Sequence, residues 1–218
     1  MTLESSKTLG GVGAILLLIG LIPFAEQYGS GVIALVGFIL VLVALHGLAD
    51  YYKENGIFDN ALYGFIAAIV GVVAAVTAAI YVIFYTSILT DFLYDIYPGW
   101  NGKWSSLVGL RPDTSNITAS NLRPVLGAIF LVLVILWIFL VISAFFNRRS
   151  LKMLSAKANV GLFSTAGLLL IIGAILAIVL IGLVLIWIAV LLIAIGFFQI
   201  KSQPEQPVAP PAPPPRTP

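Results

Sequence analysis

The 218-residue sequence has no cysteine, a single histidine and few charges, with Asp, Glu, Lys and Arg together making up 9% of the chain. Without cysteine there is no disulfide, no thiolate nucleophile and no cysteine-ligated metal or cluster, and the redox compartment is unreadable. With charge this sparse, there is too little polar surface to keep a folded globule of this size in water. The formal net charge is only +2, and the basic residues are scattered rather than striped along one face, which sets nucleic acid aside as a partner. No Asp, Glu, Lys or Arg falls in the middle of a long apolar run. A proton pump or ion-coupled carrier would therefore have to work with hydroxyls, amides and broken helices alone.

What the chain has in abundance is apolar length: 61% of its residues are hydrophobic. They fall in runs of about 18 residues or more, each long enough to cross roughly 30 Å of hydrocarbon as a helix. The runs are apolar on every face, unlike the alternating strands of a membrane barrel. The expected fold is all-α, a polytopic membrane helix bundle of six transmembrane helices, with five as the alternative count. The spans are placed at about 9–24, 31–48, 61–89, 124–146, 160–178 and 181–200. The first run follows Lys7 as a signal peptide would, but no small-x-small cleavage site precedes the second run, so it is read as a retained helix.

The connectors differ in character. Asp50, Lys53, Glu54 and Asp59 make the stretch before the third span hydrophilic. The outer loop, 90–123, carries Phe92, Tyr94, Tyr97, Trp100 and Trp104 among turn residues, and reads as a small cap on the membrane interface. Pro124 is expected in the first turn of span four, where its missing N–H costs nothing. Residues 160–200 are almost wholly apolar; one straight helix there would run about 60 Å, so a hairpin turning within 177–182 is expected, with a single kinked or re-entrant element as the alternative. Lys7, Lys53, Arg148, Arg149, Lys152, Lys157, Lys201 and Arg216 would lie on one side, against Lys103, Arg111 and Arg123 on the other. That bias places both termini in the cytoplasm, in a multi-pass protein of the cell membrane.

An internal echo links Lys53, Ile57, Phe58, Asn60 and Ala61 with Lys157, Leu162, Phe163, Thr165 and Ala166. Each set follows an alanine and two aromatics, Ala49, Tyr51, Tyr52 or Ala144, Phe145, Phe146, and enters a span holding Gly71 or Gly173. Spans two and three would thus form a parallel repeat of spans four and five, with chance similarity between two hydrophobic hairpins as the competing explanation.

Three stretches carry a family resemblance: Ser6, Lys7, Leu9, Gly10, Gly11, Gly13, Ala14; then 44–48 with Tyr51, Tyr52, Ile57, Phe58, Asn60, Ala61; then Ser150, Phe163, Ala166, Gly167, Gly173, Ala174, Ile181, Gly182, Phe197, Phe198. Together they resemble the prokaryotic, largely archaeal membrane family catalogued as domain of unknown function 996, over about residues 5–200 without the outer loop. The resemblance implies a cell-membrane protein with no assigned activity, and it supplies no catalytic residue.

Each candidate site has a sharp and a bland reading. His46, with Asp50 one helical turn on, could relay protons or sense charge, or could simply reach water at the membrane boundary. Gly64, Ala67, Ala68, Gly71, Ala74, Ala75 and Ala78 give span three one small-residue face, for another subunit or for a helix of the same chain, the latter expected. Thr77, Ser87, Ser143, Ser164 and Thr165 are expected to bond back to their own helix carbonyls. Asn116-Ile117-Thr118 is a glycosylation acceptor triplet on the outer loop. Arg148, Arg149, Lys152 and Lys157 could hold anionic lipid, or serve topology alone. The tail, 201–218, is proline-rich and expected to be disordered and extended; Pro204, Pro207 and Pro210 have the spacing of a groove-binding motif. The glycines Gly10, Gly11 and Gly13 lack the strand and the Gly-Lys-Ser/Thr of a phosphate loop.

No catalytic residue, cofactor or metal site is expected. The leading expectation is a non-enzymatic structural or accessory subunit of a membrane assembly, whose partners are the lipid bilayer, a membrane protein or a second copy, and a soluble protein held by the tail. The alternative is a small-molecule or ion permease formed by oligomers.

Overall fold

The computed structural model describes residues 2–21, 30–115 and 117–201. Among them there is no strand. Seven α-helices follow one another: α1 Leu3–Gly20, α2 Ser30–Tyr52, α3 Gly56–Tyr85, the short α4 Ile88–Ile96, α5 Ala119–Ala158, α6 Gly161–Leu176 and α7 Ile181–Gln199. All but α4 are long and apolar enough to cross a membrane, α6 with its 3₁₀ extension. The six-span expectation therefore holds, and 160–200 is a hairpin. The connector after the first span, 22–29, Asn116 and nearly all of the tail lie outside the described residues.

Each spanning helix packs on its neighbour in the chain, α3 meeting α5, and α1 returns to α7, so the six close into a ring in sequence order. In hydrocarbon the hydrophobic effect does not draw helices together, so close backbone approach carries the packing. Gly13 of α1 and Gly37 of α2 meet face to face: a Cβ on the first would lie 2.7 Å from the carbonyl of the second. Gly71 of α3 seats Phe139 of α5, and Gly64 seats Asn147. The seam between α2 and α3 is filled differently, by a stack of Phe38 on Phe65 at 5.0 Å and an edge contact of His46 on Phe58 at 4.7 Å.

The hairpin turn shows why it had no polar signature. Helix α6 tightens into a 3₁₀ turn, Ala177–Val179, and Leu180 takes the left-handed conformation at φ 65°. Two residues on, Gly182 lies so close to the Gly173 carbonyl that no Cβ fits. A glycine at the crossing, rather than a turn residue at the apex, is what the reversal requires.

Several helices exceed their apolar runs. Helix α1 starts at Leu3, six residues before the expected span, because the Thr2 hydroxyl caps the Ser5 N–H and Lys7 pairs with Glu4 at 2.8 Å. The connector after α2 shrinks to Lys53, Glu54 and Asn55, since Asp59 sits in the first turn of α3, where a carboxylate suits the helix dipole. Helix α5 has 40 residues and runs about 60 Å, absorbing at its end the basic stretch expected to be a connector. Pro124 is not in the first turn of α5 but the sixth residue of the helix. Its missing N–H leaves the Ser120 carbonyl without the usual helical donor.

The corners after α2 and α5 are built alike. Lys53 and Asn159 are both left-handed, at φ 53° and 54°. Glu54 N–H donates to Ala49 O and Val160 N–H to Ser155 O, the same closure five residues back. Lys53 thus matches Asn159 and Ile57 matches Phe163, one or two residues out of step with the pairings of the sequence echo.

Replacing Gly182 by Val should destabilise the bundle by about 1–3 kcal/mol through overpacking at the crossing. Gly127→Val, at a glycine with nothing within 4 Å, should leave it unchanged. Thermal unfolding in one detergent compares them; equal midpoints would contradict the crossing described.

Candidate functional site

At the basic end of the ring, where Lys7, Lys53 and the end of α5 come together, the interior is solid. Leu48, Ile57, Leu154, Phe163, Phe197 and Ile200 are essentially inaccessible, as are Ser6 and Ser150, so every spanning helix contributes to one sealing layer. Phe163 meets Phe197 edge to face at 5.3 Å, and Gly10 of α1 leaves room for the Phe197 ring. Polar groups join the two alike corners across the layer: the Ser150 hydroxyl donates to Ile57 O at 2.5 Å, and Lys157 pairs with Glu54 at 3.1 Å.

Above the seal the ring is hollow. A cavity of about 250 Å³ is lined from all six spanning helices, including Leu17, Phe38, Ala68, Leu140, Ala174 and Ile186. Its lining is apolar except on one wall, where Ser143, Asn147 and Ser150 of α5, spaced four and three apart, share a face. Asn147 Nδ2 donates to Ser143 O at 3.0 Å and Ser143 Oγ at 3.3 Å, and its Oδ1 has no partner among the described residues. Away from the seal, Ala68 and Leu140 also line a second hollow of about 470 Å³ between α3, α5 and the hairpin apex at Ala177, Ile178 and Leu180. Chamber and groove abut at those two side chains.

The expected site residues are distributed as follows. His46 and Asp50 approach to 3.7 Å, with both side chains more than half exposed on the outside of the α2–α3 seam, away from the chamber. Gly64, Ala67, Gly71 and Ala75 are buried, with Gly64 and Gly71 against α5; Ala74 and Ala78 are half-buried, and Ala68 turns to the chamber. Arg148, Arg149, Lys152 and Lys157 are all exposed on the last turns of α5, Arg149 lying 4.7 Å over the Phe145 ring and Lys157 bound to Glu54. Thr77 and Thr165 bond back to Val73 O and Gly161 O. As chamber residues, Asn147 and Ser150 are additions: the expected fourth span ended at Phe146, one residue short of the first and four short of the second.

At the other end the loop is an ordered cap. Helix α4 lies on the start of α5, held by the Asn121 amide on the Asp95 carboxylate. Trp100 is buried between Tyr94 and Trp104, at 4.8 and 5.8 Å, and its indole N–H donates to Lys103 O. Asp113 ties the loop down: its N–H donates to Ile96 O at 2.7 Å, and its carboxylate accepts the Ser115 hydroxyl at 2.6 Å and the Ser115 N–H at 3.0 Å.

A closed ring of apolar helices with a sealed end defines the class: a polytopic helical membrane protein. The comparisons name the family. The profile of the family described as Protein of unknown function (DUF996) matches residues 33–191, so the chain belongs to that family. It is also similar to the Methanocaldococcus jannaschii "Uncharacterized protein MJ1644", 27% identical over 202 residues that cover 93% of this chain and 95% of the relative. No solved structure matches.

The Ser115 hydroxyl, then its N–H, holds the Asp113 carboxyl below the usual carboxylate range. A lowered folded-state pKa stabilises the loop above the unfolded carboxylate value, and that contribution is lost as pH falls through the folded value. Ser115→Ala should move the Asp113 titration upward, read by carboxyl-carbon NMR; an unmoved titration would rule out the hydroxyl as its cause.

Proposed function

We propose that the chain is a non-enzymatic protein of the cell membrane, serving as a structural or accessory subunit of a membrane assembly. The observation that carries this reading is the seal. A permeation path needs polar groups or water through the full thickness, whereas here side chains from every spanning helix fill the basic end with almost nothing but hydrocarbon. The lining of the chamber above has one amide and two hydroxyls and no ionisable group. A permease built between copies of the chain is the second reading, and it would place its path outside the ring.

The surface suits an assembly. Beyond the hairpin apex, α3 and α5 run on as a pair with α4 beside them among the described residues. Val72, Val73, Val76, Ile80, Phe84, Leu126, Ile129 and Phe130 are exposed along its flanks. Lipid covers such a wall, and so would a neighbouring membrane protein packed against it. The exposed cations at the end of α5 suit anionic headgroups, and the proline-rich tail suits an aromatic groove on a soluble partner.

In the proposed orientation both termini and the basic end face the cytoplasm, following the lysine and arginine bias. The outer loop, with the Asn116 acceptor triplet, then faces outward. Because the chain lacks cysteine, single introduced thiols report orientation cleanly. A membrane-impermeant maleimide applied to intact cells should label Ser105→Cys and spare Lys201→Cys; the reverse pattern would invert the topology. Native mass spectrometry of the tagged protein, taken from its own host in nanodiscs, tests the assembly. A stoichiometric protein partner is expected, and a bare homo-oligomer would overturn the accessory-subunit reading.

A further inference from the structure

We propose that the central chamber and the groove that abuts it at Ala68 and Leu140 act as one binding site for a neutral, single-chain amphiphile drawn from the membrane, its hydroxyl head on Asn147 and its chain lying toward the hairpin apex. The inference does not depend on whether the chain works alone or in an assembly.

Depth identifies the source of the ligand. Counting about 20 helical residues from Asn147, beside the first cations of α5, spans the hydrocarbon to near Gly127. The lining residues of α5, from Leu151 back to Phe130, lie almost wholly within that interval. The groove therefore opens into lipid tails rather than into water, and what enters must already be dissolved in the membrane. From Asn147 to Phe130 is about 25 Å along the helix, a long, narrow path that suits one extended chain. The chamber alone, at about 250 Å³, is below the usual range of about 300–1,000 Å³ for ligand pockets. The groove, at about 470 Å³, lies within that range, and an occupant whose head reaches Asn147 from the groove extends through both.

Polarity identifies the head. The chamber lining includes no Asp, Glu, Lys, Arg or His, so a carboxylate, phosphate or ammonium head would be buried without a counter-ion. A neutral hydroxyl needs only one acceptor, and Asn147 Oδ1 is the acceptor left over once Nδ2 is bonded to Ser143. Ser150 is engaged by Ile57 O and Ser143 by the Asn147 amide, so Asn147 Oδ1 is the chamber's acceptor without a partner among the described residues. Gly64 supports the arrangement from α3: a Cβ there would fall 2.6 Å from Asn147 Nδ2, so the glycine keeps the amide's place free.

The test uses the full chain in phosphatidylcholine nanodiscs and a hexadecanol carrying a photoactivatable diazirine in its chain. Mass spectrometry should locate saturable adducts on α5 between Leu133 and Leu151 and on α7 between Leu183 and Ile193, displaced by plain hexadecanol and not by palmitate. Ala68→Phe, at the half-buried residue shared by chamber and groove, should lower the labelling of α7 about tenfold or more. Asn147→Leu should keep the adduct positions but weaken the apparent affinity about tenfold, as expected for one hydrogen bond lost in an apolar site. Should Ala68→Phe fail to fold, as judged by its thermal unfolding, Ala68→Val replaces it with the same expected direction. Labelling that does not saturate and falls evenly on outward residues such as Val73 and Ile129 would overturn the site. Equal competition by palmitate, or full affinity in Asn147→Leu, would overturn the hydroxyl-on-amide assignment.

Discussion

Helices in a bilayer gain nothing by hiding leucines from lipid, because lipid is as apolar as leucine. What holds them is contact distance, and contact distance is set where a side chain is missing. In this bundle the closest approaches come at glycines: Gly13 on Gly37 joins α1 to α2, Gly173 on Gly182 folds the last hairpin, and Gly64 and Gly71 admit α5 to α3. The seam of α2 on α3 is filled instead by aromatic pairs. The rest of the architecture follows. Tight pairs in sequence order close into a ring, one end of the ring fills with large side chains, and the other end is left hollow because the hairpin stops beside Ala68 and Leu140.

Much of this was legible beforehand because the bilayer restricts the choices so severely. Apolar length alone gave six spans and the all-α class, and the small-residue pattern on span three marked the helix whose Gly64 and Gly71 meet α5. Boundaries were less legible, for a physical reason. A hydropathy pattern reports where lipid begins, whereas a helix continues until its backbone finds a cap. Helix α1 continued out to Thr2 and α5 to the left-handed Asn159. Pro124 was misplaced for the same reason, since the first turns of α5 are too polar to count as span.

The chamber was not legible, and the cause is specific. Ser143 had the look of a hydroxyl bonding to its own helix, and Asn147 and Ser150 fell past the apparent end of the span among cations. Only once α5 is known to continue as a helix does the four-and-three spacing of these residues put them on one face. Only contact with α3 shows that Gly64 and Ile57 receive two of them. The repeat was likewise visible as composition, but its true register appeared in the two left-handed corners, which no side-chain pattern encodes.

The unequal lengths of the helices carry a consequence for the membrane itself. Along one flank α3 runs for 30 residues and α5 for 40, the latter apolar over about 124–146, while on another the hairpin turns back after 19. Lipid tails adjust their height to the apolar surface beside them, at a cost of fractions of a kcal/mol per Å. Tails beside the long pair are drawn taller and those beside the hairpin are compressed, so the protein sits in the bilayer as a wedge. Such a body favours places where thickness already changes, and a second copy that shares the tall flank would relieve the strain of both.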